Sequence, residues 1–150
     1  MANNIMITGA NRGIGYYMAE KLLAEGNKVS VLDIETDNLT ELQKKYNGLI
    51  FYKADLRNYD AVKRAVDKTA AKFGTIDIAV NNACKCKFES ESETDIDTYK
   101  DVFDVNYFGA LRLVKCVMPY MSAQKKGRVI FTSSGVGVTG FVNISPYSST

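Results

Sequence analysis

The segment Thr8–Gly15, with the sequence Thr-Gly-Ala-Asn-Arg-Gly-Ile-Gly, constrains the fold of this chain more than any other feature. It follows an apolar run, Ile5–Ile7, and precedes a pattern typical of a helix. A glycine-rich turn between a strand and a helix N-terminus lets the backbone approach a phosphate, and the first free N–H groups of the helix point at it. The segment therefore predicts a nucleotide pyrophosphate site, although glycines also serve ordinary strand–helix turns.

Composition limits the classes of protein that this chain can belong to. Its 150 residues are enough for one domain with a core, and 46% hydrophobic with 24% charged residues is ordinary for a globular protein. The formal net charge is +2 and scattered, so no basic stripe favours nucleic acid or an anionic membrane as a partner. No apolar run reaches membrane-spanning length, and the N-terminus lacks the pattern of a secretory signal, so we expect a cytoplasmic protein.

The chain has three cysteines, Cys84, Cys86 and Cys116, and no histidine. An odd number of cysteines without a signal peptide fits reduced thiols in the cytosol. The two thiols of Cys84-Lys85-Cys86 fall short of the four ligands that a zinc site requires. We therefore expect no metal, treat the thiols as packing residues, and exclude Ser–His and Cys–His nucleophiles.

Predicted strands and helices alternate along the sequence. The strands comprise residues 4–8, 28–32, 49–53, 76–80 and 128–132, and the helices comprise residues 13–25, 38–46, 59–73 and 98–121. Ile14, Met18 and Leu22 share one face of the first helix, residues 133–146 form a loop rich in Gly, Ser and Thr, and Pro146 suits the start of another helix. The pattern predicts an α/β fold, a Rossmann-type doubly wound parallel sheet of order 3-2-1-4-5 in a single domain over residues 1–150.

Polar residues or glycines follow every predicted strand. They are Thr8–Gly15 after the first strand, Asp33 after the second, Asp55 after the third, Asn81, Asn82 and Ala83 after the fourth, and Ser133 and Ser134 after the fifth. In parallel α/β sheets ligands bind beyond the carboxyl ends of the strands, so these residues should meet in one site.

Asp33 lies 18 residues after Gly15 and bears on the choice of nucleotide. A carboxylate there accepts hydrogen bonds from both adenosine ribose hydroxyls and repels a 2′-phosphate, which favours NAD. Arg12, inside the glycine loop, could instead pair with a 2′-phosphate, so NADP stays open. The remaining alternative is a solvated turn aspartate at position 33.

Two further strand ends admit two interpretations each. Asp55 and Leu56 could meet an adenine edge, or Asp55 could cap the helix that begins near Tyr59. Asn82 and Ala83 could line a ribose of the cofactor, or Asn81 and Asn82 could satisfy backbone groups where the fourth strand ends.

The Thr8-Gly-x-x-x-Gly-x-Gly15 spacing, Asn81-Asn82-Ala83, Asn106, Ser134 and Tyr147 together resemble the short-chain dehydrogenase/reductase family. The resemblance spans the whole chain, and the step of 13 residues from Ser134 to Tyr147 also matches. It implies hydride transfer between a nicotinamide cofactor and a secondary alcohol or ketone. The cofactor site that it implies contains Gly9, Asn11, Arg12, Gly13, Ile14, Gly15, Asp33, Asp55, Leu56, Asn82, Ala83 and Tyr147.

The resemblance also implies catalytic roles for three residues. Tyr147 would be the general acid/base at the substrate oxygen, Ser134 would polarise that oxygen, and Asn106 would hold a structural water in a proton relay. A tyrosine side chain titrates near pH 10 in water, so a catalytic tyrosinate needs positive charge nearby. The alternative for Asn106 is a structural amide that bonds a neighbouring backbone, and Ser134 taken alone is better explained as a loop-capping serine.

The sequence departs from the family pattern at two points. Cys84 stands where glycine usually follows Asn-Asn-Ala, and its side chain should narrow the pocket for the nicotinamide ribose. A lysine is expected four residues after Tyr147, and the sequence ends one position earlier, at Thr150. We therefore expect a portion of a longer protein. The alternative is a catalytically silent nucleotide-binding or interaction module.

The resemblance implies a homo-oligomer formed through the helix that contains Asn106 and Leu113. Residues 135–146 should line the substrate entrance, and their Val and Phe content favours an apolar or medium-sized alcohol or carbonyl substrate.

Overall fold

The computed structural model describes residues 2–150 and contains a five-stranded parallel sheet of order β3-β2-β1-β4-β5. The strands are β1 (Asn4–Thr8), β2 (Lys28–Asp33), β3 (Leu49–Lys53), β4 (Ile78–Asn81) and β5 (Arg128–Phe131). The helices are α1 (Gly13–Ala24), α2 (Asp37–Lys45), α3 (Tyr59–Phe73), α4 (Ile96–Phe103), α5 (Gly109–Ala123), α6 (Val136–Thr139) and α7 (Ser145–Ser148). The predicted fold class and strand order are confirmed.

The central strand β1 explains why the sheet is covered on both faces. Its residues Met6 and Ile7 are fully buried and point to opposite faces. Met6 packs in a cluster with residues of α3 and α5, and Ile7 packs in a second cluster with residues of α1 and α2. Burial of each such side chain contributes about 1.5–3 kcal/mol. Because all five strands of this covered sheet are parallel, their carboxyl ends lie at one edge.

The predicted apolar face of α1 is wrong by about one residue. The buried residues are Gly15, Ala19 and Leu23, whereas Ile14 is 73% exposed. The start of this face needs a residue without a side chain because α1 lies close to the loop after β1. A Cβ at Gly15 would collide with the carbonyl oxygen of Gly9. Ile14 therefore points to solvent at the start of α1.

The fourth strand begins two residues later than predicted and ends one residue later. Ile76 is fully buried but precedes the strand, and the first residue of β4 paired with β1 is Ile78, opposite Ile5. Ile76 is apolar because it is buried in the core, and an apolar residue in that position resembles a strand residue in sequence although it has no partner in the sheet. The last strand residue, Asn81, pairs with Phe131 of β5.

The predicted helix over residues 98–121 is interrupted. A π-helical turn, Asp104–Phe108, separates α4 from α5 and contains Asn106. Such turns are rare and occur often at functional sites. The buried residues Val102, Leu113 and Val117 keep the periodicity of a helix on both sides of the turn, so the pattern could not show the insertion.

The predicted loop 133–146 contains one helical turn, α6, which sequence reasoning missed because its residues are Val, Gly and Thr. Pro146 lies in the first turn of α7, as predicted.

Candidate active site

The glycine loop between β1 and α1 packs directly against the end of β4. Gly9 has a φ of +68°, and a Cβ there would lie 2.5 Å from the Cα of Ala83. Gly13 also has a positive φ, +61°, but a Cβ there would meet nothing within 4 Å. Backbone conformation therefore favours glycine at both positions, and packing against Ala83 requires it in addition at Gly9, whereas open space lies beyond Gly13.

The N-terminus of α1 offers unpaired donors. Its N-cap residue, Arg12, makes no side-chain capping bond, and the first turn has no acidic residue. The backbone N–H groups of Gly13, Ile14 and Gly15 have no acceptor among residues 2–150. Unpaired N–H groups at the positive end of a helix beside open space fit the phosphates of a dinucleotide.

Thr8 joins this loop to the end of β4. Its buried Oγ1 accepts hydrogen bonds from the backbone N–H groups of Asn82 and Ala83, each at 3.1 Å. The side-chain amide of Asn82 donates to the carbonyl oxygen of Gly9 at 2.8 Å. Asn82 thus satisfies backbone groups, which is one of the two interpretations above, and contacts of Asn82 and Ala83 with a ribose stay predictions.

Asn11 precedes α1 in the chain, but its side chain caps the N-terminus of α2. Its Oδ1 accepts a hydrogen bond from the backbone N–H of Asn38 at 3.1 Å, and its Nδ2 donates to Asp37 at 2.9 Å. The N-cap of α2, Thr36, makes no such bond. The Asn11 amide holds the pKa of the Asp37 carboxyl below its usual value. Because the side chain is buried against α2, a contact of Asn11 with cofactor stays a prediction.

Asp33 ends β2 beside the glycine loop. Its two carboxylate oxygens accept hydrogen bonds from the backbone N–H groups of Asn11, at 2.8 Å, and Glu35, at 3.1 Å. Arg12 is exposed and forms a 3.6 Å ion pair with Glu35. Acidic residues 33, 35 and 37 thus lie beside the outer side of the loop, and the Arg12 guanidinium is directed at one of these carboxylates.

Asp55 and Leu56 follow β3, and their side chains lie in different surroundings. Asp55 does not cap α3, because the cap is Asn58, whose Oδ1 accepts from the backbone N–H of Ala61 at 3.0 Å. Asp55 is bound by Arg57, with 2.6 Å between Nη2 and Oδ2, and this bond holds the pKa of the Asp55 carboxyl below its usual value. The Leu56 side chain is buried in the core, so only its backbone lies near the sheet edge.

Asn106 binds the backbone of the segment after β4. Its Oδ1 accepts from the N–H of Lys85 at 2.7 Å, and its Nδ2 donates to the carbonyl oxygen of Lys85 at 3.0 Å. Its Nδ2 also donates to Oγ1 of Thr150, at 3.0 Å, and that hydroxyl donates to the carbonyl oxygen of Tyr147. The structural-amide interpretation of Asn106 is confirmed, and its predicted part in a proton relay remains a prediction.

Asn106, Ser134 and Tyr147 line one cavity of about 90 Å³. Asn81, Ala83, Cys84, Thr132, Ser133, Val136, Gly137 and Thr150 complete its walls. Ser134 lies just beyond β5 and Tyr147 on α7, so residues 13 positions apart, on either side of α6, line the same cavity. The cavity lies at the carboxyl end of β4 and β5, next to the segment that the glycine loop contacts.

The assignment of all three cysteines to packing is wrong for two of them. Cys116 is buried in the core, whereas Cys84 and Cys86 are exposed. Cys84 lines the cavity, as its place after Asn-Asn-Ala predicted. Burial raises the pKa of the Cys116 thiol above its usual value.

Sequence reasoning missed Lys85 and Asp101. The Lys85 ammonium pairs with the Asp101 carboxylate, and Asp101 also pairs with Arg57 at 2.5 Å. These residues come from three separate segments, so no periodicity or motif spacing links them. Adjacency to Cys84 was the only signal for Lys85.

Comparison with known proteins gives consistent results. A sequence model of the family described as short chain dehydrogenase matches residues 3–150. The chain is 33% identical to a 3-oxoacyl-acyl-carrier-protein reductase of Thermotoga maritima, over 90% of this chain and 56% of the relative. It is 32% identical to a cis-2,3-dihydrobiphenyl-2,3-diol dehydrogenase of Paraburkholderia xenovorans, over 89% of this chain and 50% of the relative.

Solved structures agree with the sequence relatives. A short-chain dehydrogenase from Streptomyces avermitilis superposes with a TM-score of 0.92 and 28% identity, over 99% of this chain and 55% of that one. An NAD⁺-bound xylitol dehydrogenase superposes with a TM-score of 0.90 and 29% identity, over 98% of this chain and 59% of that one. The chain therefore spans about half the length of the relatives that it matches.

Two kinds of feature are absent from the part of the chain that the structure describes. Residues 2–150 contain no helix with the length and apolar character needed to cross a bilayer. Within the same range, no three His, Cys, Asp or Glu side chains are grouped so that they could hold a metal ion.

Proposed function

This chain belongs to the short-chain dehydrogenase family, and we propose that the protein containing it transfers hydride between a nicotinamide cofactor, preferably NAD, and a secondary alcohol or ketone. The observation that carries the proposal is the cavity where Asn106, Ser134 and Tyr147 meet, beside the glycine loop. A bound nicotinamide supplies or accepts the hydride.

The glycine loop would hold the cofactor's pyrophosphate. The unpaired N–H groups of Gly13, Ile14 and Gly15 would donate to phosphate oxygens, and the open space beyond Gly13 admits them. Exposed Ile14 would cover the same phosphates from solvent. Asp55 and the Leu56 backbone would meet the adenine edge.

Three cavity residues would act on the substrate. The Tyr147 hydroxyl would exchange a proton with the substrate oxygen, and Ser134 would donate a hydrogen bond that polarises that oxygen. Asn106 would keep the Lys85 backbone and Thr150 in place through the hydrogen bonds described above, and would hold a water of the proton relay.

The preference for NAD is supported by charge. A 2′-phosphate near Asp33 would also approach Glu35, because the Asp33 carboxylate contacts Asn11 of the glycine loop and the Glu35 carboxylate contacts Arg12 of the same loop. The Arg12 guanidinium already forms an ion pair with Glu35, so part of its charge is balanced before a phosphate binds. Carboxylates beside a phosphate raise its free energy directly, so NADP should bind more weakly than NAD.

The reaction can be tested with the whole protein and a panel of apolar, sugar-like and acyl-thioester carbonyl compounds. We expect NADH oxidation that falls by roughly 10²-fold or more in Tyr147→Phe, with NADH affinity changed little. Ser134→Ala should also slow the reaction, and Ser133→Ala is the neighbouring control. Failure of the unmodified protein to bind either NADH or NADPH would contradict the proposal.

A catalytically silent binding module is the second candidate. It would bind NADH as tightly as an enzyme does, yet Tyr147→Phe would change no measured rate because no substrate would be turned over. Cofactor binding without turnover across the panel would favour this candidate.

The same proposal extends to assembly, location and substrate. Tyr107, Phe108, Leu111 and Met118 expose apolar side chains on the π turn and α5, which supports a homo-oligomer formed through this surface. Light scattering would detect it. We propose a cytoplasmic enzyme, and exposed Val138 and Phe141 support an apolar substrate.

A further inference from the structure

The orientation of Asn106 depends on a segment that it does not belong to. Its side-chain oxygen and nitrogen form two hydrogen bonds with the backbone of Lys85, which follows the cavity residue Cys84. A two-bond contact fixes the amide plane relative to that backbone. Any movement of Lys85 would therefore turn the Asn106 amide and shift the cavity wall at Cys84.

Asp101 holds the side chain of the same lysine. One carboxylate oxygen pairs with the Lys85 ammonium, and the other pairs with Nη1 of Arg57 at 2.5 Å. Arg57 in turn binds Asp55 through Nε and Nη2. A continuous set of charge-assisted bonds thus runs from the end of β3, through α4, to the segment after β4.

We propose that Asp101 is a positioning residue for the cavity: by bridging Arg57 and Lys85 it keeps residues 83–85 in place against Asn106. It does not line the cavity and acts only through Lys85. The inference rests on the proposed function for its kinetic consequence, but its structural consequence does not. Its Asp55 end lies where an adenine would bind, so the bridge connects the two ends of the cofactor site.

The expected effect is moderate. The Asp101 side chain is 30% exposed and that of Lys85 is 47% exposed, and ion pairs of this kind contribute little to global stability. Loss of the bridge should therefore loosen residues 83–85 locally without unfolding the protein. Local opening is reported by amide hydrogen exchange.

The decisive experiment compares Asp101→Asn with Asp97→Asn in the whole protein. Asp97 is on the same helix and pairs only with Lys100 among the described residues, so it matches the charge change without touching the bridge. The backbone N–H of Lys85 should exchange about tenfold faster in Asp101→Asn and at the original rate in Asp97→Asn. Equal exchange in the two variants would overturn the proposal, whatever the activity of the protein.

Kinetics provide the second measurement. We expect kcat to fall about fivefold in Asp101→Asn, with a smaller change in the substrate KM and an unchanged melting temperature. Lys85→Met should produce a similar fall, Lys85→Arg should restore most of it, and the double variant should be no slower than either single variant. If the falls in kcat of the two single variants multiplied in the double variant, the two residues would act separately, and the proposed bridge would be contradicted. An inactive unmodified protein would contradict only the proposed function.

Discussion

The carboxylate of Asp33 accepts a hydrogen bond from the backbone N–H of Asn11 at 2.8 Å, so the end of β2 holds the glycine loop directly. Asp33 is itself the last residue of β2 and pairs with Lys53 of β3. One side chain therefore orients the loop and, under the proposed function, meets the ribose. Its repulsion of a 2′-phosphate is separable from these two effects, because only the repulsion needs the negative charge.

Asp33→Asn should change nucleotide preference more than it changes stability. The amide oxygen can still accept from Asn11, while the charge that opposes a 2′-phosphate is lost. We expect the ratio of NADPH to NADH affinity to rise about tenfold, since unit charges a few ångströms apart near a surface interact by about 1–4 kcal/mol. Fluorescence titration with each nucleotide measures the ratio. Glu41→Gln, which removes an exposed charge from α2, is the control, and an unchanged ratio in Asp33→Asn would rule out the role of this charge.

Gly9→Ala and Gly13→Ala should differ in stability although both glycines have positive φ. Each variant bears a conformational cost of about 1–2 kcal/mol. Only Gly9→Ala adds a clash, because its Cβ would lie 2.5 Å from the Cα of Ala83 and 2.8 Å from its Cβ. We expect Gly9→Ala to lower the free energy of unfolding by about 2 kcal/mol more than Gly13→Ala does, measured by urea denaturation. Equal losses would show that the loop yields to the extra methyl group without cost.

The sheet was predictable because its strands are short, apolar and separated by helices of adequate length. Val29 and Val31, for example, are fully buried in β2, as expected of a parallel strand covered on both sides. Residues at the strand ends could also be located, since parallel strands end at one edge. The burial of Ile76 before β4 shows the limit of the method: an apolar residue signals burial but not pairing.

The finer geometry of the site was not predictable for physical reasons. The π turn at Asn106 adds a residue to a helix whose buried positions, Val102 and Leu113, keep their faces on both sides. Asn11 caps α2 although it lies 27 residues before Asn38, from whose N–H it accepts a hydrogen bond. The cap of α3 is Asn58, because the Asp55 carboxylate is bound by Arg57. Each of these contacts depends on tertiary proximity, which local patterns do not contain.

Asn58→Ala should weaken α3 through the loss of its cap. The Asn58 Oδ1 accepts from the backbone N–H of Ala61, and without it that donor has no side-chain partner. We expect the free energy of unfolding to fall by about 1 kcal/mol, again by urea denaturation. Asn58→Asp keeps an acceptor at the same place and should cost far less. A loss as large in Asn58→Asp as in Asn58→Ala would mean that the effect does not come from the cap.

Acid should destabilise the protein partly through Asp55. Its pKa in the folded state is lowered from the usual 3.8, first by the hydrogen bond from Arg57. A lowered folded pKa stabilises the protein above the pKa of the unfolded chain, and this stabilisation is lost as pH falls through the folded pKa. Because the Asp55 side chain is 35% exposed, we expect no more than about 1 kcal/mol from it.

Asp55→Asn should therefore lose less stability than the unmodified protein as pH falls below about 4, because the Asp55 carboxyl is protonated first in the unfolded chain and only at lower pH in the folded protein. Arg57→Met should flatten the pH dependence further, because Arg57 also pairs with Asp101, whose pKa is lowered first by Lys85 and then by Arg57. The free energy of unfolding, followed by urea denaturation at several pH values in constant salt, measures both slopes. If Asp55→Asn followed the curve of the unmodified protein throughout, the Arg57 ion pair would contribute nothing to acid sensitivity.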